Sequence, residues 1–480
     1  MDTFRPNSLS SKQALNLFSA KSVKFWGLSG AALTGLMLFS DGSAGELLTG
    51  LSVAGMGAFL LWNRLNPAAN LAAEYPDQIS LSDLTKRFTE VETLCSRIES
   101  EAQLLEQSSA TESVRKALAQ LKAGCDRTQL NLVITGERGV GKTALLGCLS
   151  ELPDVAIQEA SWPDETLPES LRTTDLTLFV AHGDLTQSEL NRIQLLRSRH
   201  KPVAVILNKT DRLMPSQLET LMAKLTKVLD DTVDQPDCLA IAAAPQPITV
   251  RRHQADGSIQ EVREQPQPQL AALSQRLEQR LTDTGRQQLV WQQVYGETLE
   301  LRTTAVRSLN ALQRQRALPL LEKYQWIAAS AAFASPLPST DMIAAAAITA
   351  KLVIDLGEIY EQRFSLNEAQ KIAAIVAQAL LKLGLVEISS QLLGVALKSH
   401  AATYVAGGLV QGLSVAYLTH IAGLSLIEHF EAIALGEASE SQLSLQVVKQ
   451  IVERVFAQNQ RGDFLKGLVG QGLSRLQLAS

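Results

Sequence analysis

The chain has 480 residues, enough for about three domains of ordinary size. Hydrophobic residues make up 46% and charged residues 19%, a composition that excludes a disordered chain. The formal net charge of −5 argues against a protein that holds nucleic acid by bulk positive charge, so no nucleic-acid partner is expected. The four cysteines form no C-x-x-C pair, which excludes a disulfide scaffold and a zinc ribbon.

Two apolar runs near the N-terminus predict a transmembrane helical hairpin at residues 25–65. The runs are Phe25–Ser40 and Leu47–Trp62, and a short polar loop holding two acids separates them. Each run is close to the shortest length that crosses a bilayer. A signal peptide would carry one run followed by a cleavage site, not two runs joined by a turn. A buried helical hairpin of a soluble protein remains the alternative.

The charges beside these runs predict an orientation. The tail at 1–24 is basic, and the positive residues nearest to the two runs lie on the same flank: Lys21, Lys24 and Arg64. Positively charged flanks stay on the cytoplasmic side. We therefore expect an integral membrane protein that contacts the lipid bilayer, with both termini and the remaining chain in the cytoplasm.

Residues 66–127 are predicted to form a helical stem. Ser80-x-x-Asp83 is typical of a helix-capping box. Apolar residues then recur at alternating spacings of three and four, which predicts one buried seam: Leu81, Leu84, Phe88, Val91, Cys95, Ile98, Ala102 and Leu105. Such a seam packs either against another chain, as a homo-oligomer or a protein effector would require, or against a helix of its own chain. The sequence leaves both alternatives open.

A phosphate-binding loop follows the stem. A short apolar strand, Leu130–Thr135, leads into a G-x-x-x-x-G-K-T motif and a helix; the motif residues are Gly136, Glu137, Arg138, Gly139, Val140, Gly141, Lys142 and Thr143. Glycines allow successive backbone N–H groups to point at phosphate oxygens, and the helix dipole favours an anion. Lys142 is predicted to reach the β- and γ-phosphates, and the hydroxyl of Thr143 to ligate Mg²⁺.

A second motif predicts selection of the base. The buried strand Val203–Leu207 ends in Asn208-Lys209-Thr210-Asp211. A carboxylate here accepts from both N1–H and the exocyclic amine of guanine. Adenine lacks that pair of donors, so a buried, unpaired Asp211 would reject it, which disfavours an ATPase.

Together the two motifs resemble the P-loop GTPases of the Era-like and Ras-like kind, in the TRAFAC class. The resemblance implies an α/β domain at 128–285, doubly wound around a mainly parallel sheet, with GTP/GDP and Mg²⁺ as ligands. It implies that Asn208 and Asp211 bind guanine, and that Lys209 stacks along the base. It also implies that Ala243, after a strand at Cys238–Ala242, contacts the base through its backbone N–H.

One family motif is missing. The family carries D-x-x-G after its third strand, where the Asp holds Mg²⁺ through water, yet no glycine follows the strand predicted at Val155–Gln158. Glu159 is the best replacement for that Asp, and Asp164 is the second choice. The chain is also too short here for two strands, so the switch segment, 158–174, is predicted to be shortened. No catalytic residue is assigned, and efficient intrinsic hydrolysis is not expected.

The remaining chain is predicted to be helical apart from a β-hairpin insertion near 248–264. A long connecting helix is expected at 286–324, with Gly296 and Pro319 as candidate breaks, and an all-α domain at 325–480. Residues 315–435 carry a W-x-A-A-x-A…P-x-P-x-x-D pattern, at Trp326, Pro336, Pro338 and Asp341. This pattern resembles the domain of unknown function 697 of YcjF-like inner-membrane proteins, which implies membrane association of an Era-like GTPase. Within it, Thr403–Ile427 is either a buried helix or a membrane span.

The sequence therefore predicts a membrane-anchored GTP-binding protein that works as a slow or partner-stimulated GTPase switch. An N-terminal transmembrane hairpin, an α/β P-loop domain and an all-α C-terminal domain make up its fold. The alternative is a scaffold that binds nucleotide without hydrolysing it and organises membranes or partner proteins; the missing D-x-x-G motif favours this alternative.

Overall fold

The fold is taken from a computed structural model. It describes residues 78–480 apart from 109–110, 151, 163–165, 230–236, 254–258, 335–337, 399–406, 439–443, 460–461 and 478–480. The predicted tail, the transmembrane hairpin and the first part of the stem, up to residue 77, lie outside the described residues. The described part belongs to one compact unit, Glu74–Ser480.

Two helices precede the sheet, α1 (Leu81–Leu104) and α2 (Thr111–Ala123). The predicted capping box begins α1: the N–H of Ser80 donates to the Asp83 carboxylate, and the N–H of Asp83 donates to the Ser80 hydroxyl. The predicted seam is largely buried, although Leu81 at the first helical position is exposed and Leu94 is buried in addition.

An α/β domain follows, in which parallel strands alternate with helices. Its elements are β1 (Leu130–Gly136), α3 (Lys142–Leu149), β2 (Val155–Glu159), α4 (Glu169–Arg172), β3 (Leu176–Ala181), α5 (Gln187–Ser198), β4 (Val203–Leu207), α6 (Pro215–Leu229), β5 (Cys238–Ala240), a two-stranded insertion of β6 (Ile248–His253) and β7 (Ile259–Glu264), and α7 (Ala271–Arg280). The predicted α/β fold of this region is confirmed.

The sheet has five strands in the order β2-β1-β3-β4-β5, and every neighbouring pair is parallel. Strand order reverses around β1, which has β2 on one side and β3 on the other. In open parallel sheets, ligands bind outside the carboxyl ends of the strands at such a reversal. One parallel strand, β2, occupies the stretch between α3 and α4, in keeping with the shortened switch segment.

The hairpin insertion pairs as expected. In its antiparallel register Arg251 lies opposite Glu261, and the two side chains form an ion pair at 2.8 Å. The predicted turn at Asp256-Gly257 lies outside the described residues.

The connecting helix is longer than predicted. Helix α8 runs from Asp283 to Ala334, 52 residues, without a break at Gly296 or Pro319. Both were expected as candidate breaks because each weakens a helix locally. Burial of the surrounding residues outweighs that preference: Val294, Tyr295, Ala317 and Leu321 are all in the core. Gly296 has a packing role, since a Cβ there would lie 3.3 Å from the carbonyl oxygen of Arg199.

Helix α8 packs against both of the larger hydrophobic clusters. Its first part joins α1, α2 and the sheet in one cluster, in which Leu84, Leu132 and Leu289 are buried together. The predicted seam of the stem is thus buried against a helix of its own chain. The later part of α8, from Ala317, belongs to the cluster of the C-terminal helices.

The C-terminal region consists of helices joined by short connections in its described residues. Its helices are α9 (Pro338–Ile359), α10 (Leu366–Lys382), α11 (Leu385–Lys398), α12 (Gly407–Leu435), α13 (Leu445–Asn459) and α14 (Gly462–Gln477). Gly384, with φ of +65°, separates α10 from α11, and the two helices meet at a bend of 67°. Such a left-handed residue is typical of a helix end.

Among the described residues, one helix is long and apolar enough to cross a membrane, Val410–Leu435 within α12. Two thirds of its most apolar window (67%) is buried inside the fold. The bent pair α10 and α11 passes the same test only if both are counted as one broken span. Because a core helix of a soluble bundle has the same properties, α12 supports the predicted membrane association only weakly.

Candidate nucleotide-binding site

The phosphate-binding loop connects β1 to α3 in the predicted strand–loop–helix arrangement. Its three glycines all have positive φ: +147° at Gly136, +82° at Gly139 and +99° at Gly141. Gly136 also allows close packing, because a Cβ there would lie 2.1 Å from the carbonyl oxygen of Val180 on β3. The motif glycines are therefore needed for the backbone path of the loop itself.

The functional side chains of the loop contact one another and the end of β2. The Nζ atom of Lys142 donates to the carbonyl oxygens of Gly136 at 3.2 Å and Glu137 at 3.0 Å, and lies 3.7 Å from the carboxylate of Glu159. The hydroxyl of Thr143 donates to the same carboxylate at 2.8 Å. Sheet register explains this meeting, because Glu159 is the last residue of β2 and pairs with Ile134, two residues before the loop.

These contacts distinguish the two predicted metal-binding carboxylates. Glu159 lies beside Thr143, whereas Asp164 is outside the described residues. A hydroxyl and a carboxylate in contact are suitable ligands for Mg²⁺, which prefers oxygen ligands and usually takes only one or two of them from protein side chains. Within the described part of the chain, no group of three or more His, Cys, Asp or Glu residues could hold a metal alone. The donor set fits a cation that shares its coordination with phosphate oxygens.

The N-K-x-D loop is joined directly to the phosphate-binding loop. Asn208 is 2% exposed, and its Nδ2 donates to the carbonyl oxygen of Val140 at 2.9 Å. The Nζ atom of Lys209 donates to the carbonyl oxygen of Gly139 at 2.6 Å. The two motifs, 65 residues or more apart in sequence, thus form one continuous wall at the carboxyl ends of β1 and β4.

Ala243 contacts the N-K-x-D loop through its backbone. Its N–H donates to Oδ1 of Asn208 at 3.0 Å, so this amide positions the asparagine. The next residue, Ala244, is exposed. The strand before it ends at Ala240, earlier than the predicted Ala242, because Ala242 pairs with Gln269 in an isolated antiparallel bridge.

Asp211 is exposed, not buried as the sequence argument assumed. It lies on a short 3₁₀ turn, Thr210–Arg212, that projects from the end of β4. Its Oδ2 accepts a hydrogen bond from the N–H of Gln246 at 3.0 Å, which orients the carboxylate.

Sequence reasoning missed a charged cluster beside the loop. Glu137 forms an ion pair with Arg192 of α5 at 2.5 Å. The guanidinium of Arg192 lies over the ring of Trp162, with 5.8 Å between its Cζ and the ring centroid. Trp162 is buried in the switch segment, three residues after Glu159. No local pattern marks these three residues, because their proximity is created by the fold.

A second missed group connects the switch segment to α8. Lys201 is 1% exposed, and its Nζ donates both to the carbonyl oxygen of Arg172, at the end of α4, and to the carboxylate of Glu297 on α8 at 2.6 Å. Nearby, Arg127 binds the buried carboxylate of Asp175 and also donates to Gln293 of α8 at 3.3 Å. These contacts lie at the amino-terminal edge of the sheet, away from the loops.

The strand order and the two joined loops define a P-loop domain of the GTPase fold. Residues 297–460 match the family model of the Domain of unknown function (DUF697). The chain thus combines an α/β P-loop domain with a region that is similar to the DUF697 family, as the two resemblances predicted. The match begins inside α8 and extends beyond the expected 315–435 at both ends.

Other comparisons add little detail. No curated protein sequence is significantly similar to this chain. Among solved structures, a LAO/AO transport system kinase matches with a TM-score of 0.25 and 15% identity, covering 55% of this chain and 97% of the other. LeoA, described as a bacterial dynamin GTPase from ETEC, matches with a TM-score of 0.25 and 10% identity, covering 82% of this chain and 98% of the other.

Proposed function

We propose that this protein binds guanine nucleotides and changes the state of its switch segment according to the phosphates bound. One observation carries the proposal: Asn208 donates to Val140 in the phosphate-binding loop and accepts from Ala243 in the loop after β5. Side chains that contact a base and amides that contact its phosphates must lie at a fixed distance from one another. A buried asparagine that is hydrogen-bonded to two other loops keeps this distance fixed.

The assignment of residues follows from this arrangement. The backbone amides of 136–143 would hold the phosphates, Lys142 would reach toward the terminal phosphates, and Asp211 with Lys209 would hold guanine. Thr143 and Glu159 would hold Mg²⁺, which when bound neutralises charge shared by the β- and γ-phosphates. Both side chains already contact each other, so nucleotide binding would exchange protein contacts for ligand contacts at the start of the switch segment.

A titration of the purified full-length chain tests nucleotide binding. GTP, GDP, ATP and XTP would be compared by isothermal titration calorimetry with Mg²⁺. We expect the guanine nucleotides to bind and ATP not to bind. Lys142→Ala should abolish binding of both GTP and GDP, whereas Lys224→Ala, an exposed lysine on α6, is the matched control.

Asp211→Asn is the sharper test of base recognition. An asparagine amide cannot accept from both guanine donors, but it can accept from N1–H of xanthine and donate to its 2-carbonyl oxygen. The variant should therefore lose GTP by about 100-fold and gain XTP, since a site built for two hydrogen bonds rejects a mismatched partner strongly. If Asp211→Asn loses both nucleotides equally, or neither, the assignment of the base pocket is wrong.

The proposed switch acts through two routes that the structure contains. Glu159 and Trp162 connect the start of the switch segment to the phosphate-binding loop, the latter through Arg192. Arg172, at the other end of the segment, connects to α8 through Lys201. A change of the bound phosphates would thus be transmitted to a helix shared with the DUF697 region.

Hydrogen exchange tests the switch. We expect GTP and GDP to give different exchange in 158–174 and in 283–334, and we expect Lys201→Met to remove the difference in α8 but not in the switch segment. Identical exchange with both nucleotides in both regions would favour a scaffold that holds nucleotide without switching.

Membrane anchoring is the remaining part of the proposal. The two apolar runs at 25–65 support it, with the α/β domain in the cytoplasm, and the apolar helix α12 is compatible with a membrane-contact or effector role of the C-terminal region. Carbonate extraction of membranes tests the anchor: the full chain should remain in the pellet, and a chain without residues 1–65 should be released if the hairpin is the anchor.

A further inference from the structure

Arg138 is the unpaired charge of the phosphate-binding loop. It is exposed, and no hydrogen bond or ion pair reaches its guanidinium from the described residues. Its neighbours differ: Glu137 is paired with Arg192, and Lys142 donates to two loop carbonyls. Lys209, the other cation of the site, donates to the carbonyl oxygen of Gly139. Arg138 therefore has no role in holding the loop together.

Its position matches the need of a triphosphate. The loop amides and Lys142 account for a diphosphate and reach the beginning of a third phosphate. A terminal phosphate brings further negative charge to the exposed rim of the loop. Arg192 and Lys142 already have carboxylate partners there, Glu137 and Glu159, whereas Arg138 has none among the described residues. A guanidinium at the rim can bind a phosphate through two parallel N–H groups, which an ammonium cannot do.

We infer that the side chain of Arg138 binds the terminal phosphate of a nucleoside triphosphate and makes the site prefer GTP to GDP. The inference rests on the proposed function, since it concerns the same pocket. It also gives a chemical answer to the missing D-x-x-G motif. In this chain the residue that distinguishes three phosphates from two belongs to the phosphate-binding loop itself, and not to the switch segment.

The experiment compares Arg138→Gln with Arg197→Gln in the full-length chain. Arg197 is an exposed arginine in the last turn of α5, at the opposite edge of the sheet from the loops. Dissociation constants for GDP and for a non-hydrolysable GTP analogue would be measured by calorimetry with Mg²⁺ at two salt concentrations. We expect Arg138→Gln to weaken the analogue by about 10-fold or more, which corresponds to about 1.4 kcal/mol, and GDP by less than about 3-fold.

Each outcome decides a different question. The inference is overturned if Arg138→Gln weakens binding of both nucleotides equally, or if Arg197→Gln weakens binding to the same extent. Either result would mean that Arg138 acts only through nonspecific attraction between positive charge and the nucleotide. No change for either nucleotide would overturn it as well. If the unmodified chain binds neither nucleotide, the proposed function itself fails. If Arg138→Lys keeps the preference for the GTP analogue over GDP, a positive charge alone is sufficient and the proposed contact through two parallel N–H groups is wrong.

Discussion

Two glycines of the phosphate-binding loop offer a matched pair of substitutions. Gly139 and Gly141 both have positive φ, +82° and +99°, so alanine at either position costs about 1–2 kcal/mol of backbone strain. They differ in their surroundings. A Cβ on Gly141 would lie 2.3 Å from Nδ2 of Asn208, whereas a Cβ on Gly139 would have no atom within 4 Å. Gly141→Ala must therefore also displace the asparagine.

Displacing Asn208 breaks its hydrogen bond to Val140, and an unpaired buried polar group costs about 1–3 kcal/mol. We expect Gly139→Ala to lower local stability by about 1–2 kcal/mol and Gly141→Ala by about 2–5 kcal/mol. The assay is hydrogen exchange of the amides at 136–143 and 207–211 in the full-length chain without added nucleotide, so that no ligand contact contributes.

Coupling between the two sites gives the decisive result. In the double variant Gly141→Ala/Asn208→Ala the clash is gone, so the combined loss should be smaller than the sum of the single losses. Equal losses in Gly139→Ala and Gly141→Ala, or strictly additive losses in the double variant, would refute the reasoning that Asn208 joins the loops through this contact.

Three other outcomes follow from the described contacts. Lys201→Met should lower the free energy of unfolding by about 3 kcal/mol because it leaves Glu297 without its partner, and Lys201→Met/Glu297→Leu should recover part of the loss; thermal unfolding of both variants decides this. Burial is the largest cause, and the charge of Arg197 the second, of a lowered pKa of His200, from 6.5 to about 4. As the pH falls from 6.5 toward 4, His200 is therefore protonated in the unfolded chain but stays neutral in the folded chain. Between pH 7 and pH 5 the unmodified chain should lose more stability than His200→Asn, by about 2 kcal/mol at most, and equal losses in pH-dependent melting would contradict this. Binding of a GTP analogue should change the emission of Trp162, and neither Trp162→Phe nor a chain lacking the Arg192 contact should show that change.

Contiguous motifs made much of this site predictable. The phosphate-binding loop and the N-K-x-D loop each lie within a few residues of sequence, and the torsions that glycine permits are local properties. The capping box at Ser80 forms as predicted for the same reason, since its partner is three residues away. Gly384 ends a helix because its left-handed torsion depends on the residue itself.

Contacts between distant residues were not predictable in this way. Glu137 and Arg192 are 55 residues apart, and Lys201 and Glu297 are 96 apart, so only the completed fold brings them together. Pro319 shows the converse, where a local signal is overruled. Its missing N–H weakens α8 at one position, but burial of Ala317 and Leu321 against the C-terminal helices continues the helix through it.

The continuity of α8 has a practical consequence for anyone who wishes to work with a minimal fragment. A fragment cut at 128–285 would retain every residue that is proposed to touch nucleotide, yet it would lose Leu84 and Val91 of α1 and Leu289 of α8, which bury the same face of the sheet. Exposed apolar surface of that kind promotes aggregation. Excision should instead begin before Ile79 and retain α8 to Ala334 together with the C-terminal helices that bury its later part, so the smallest workable piece is nearly the whole described protein.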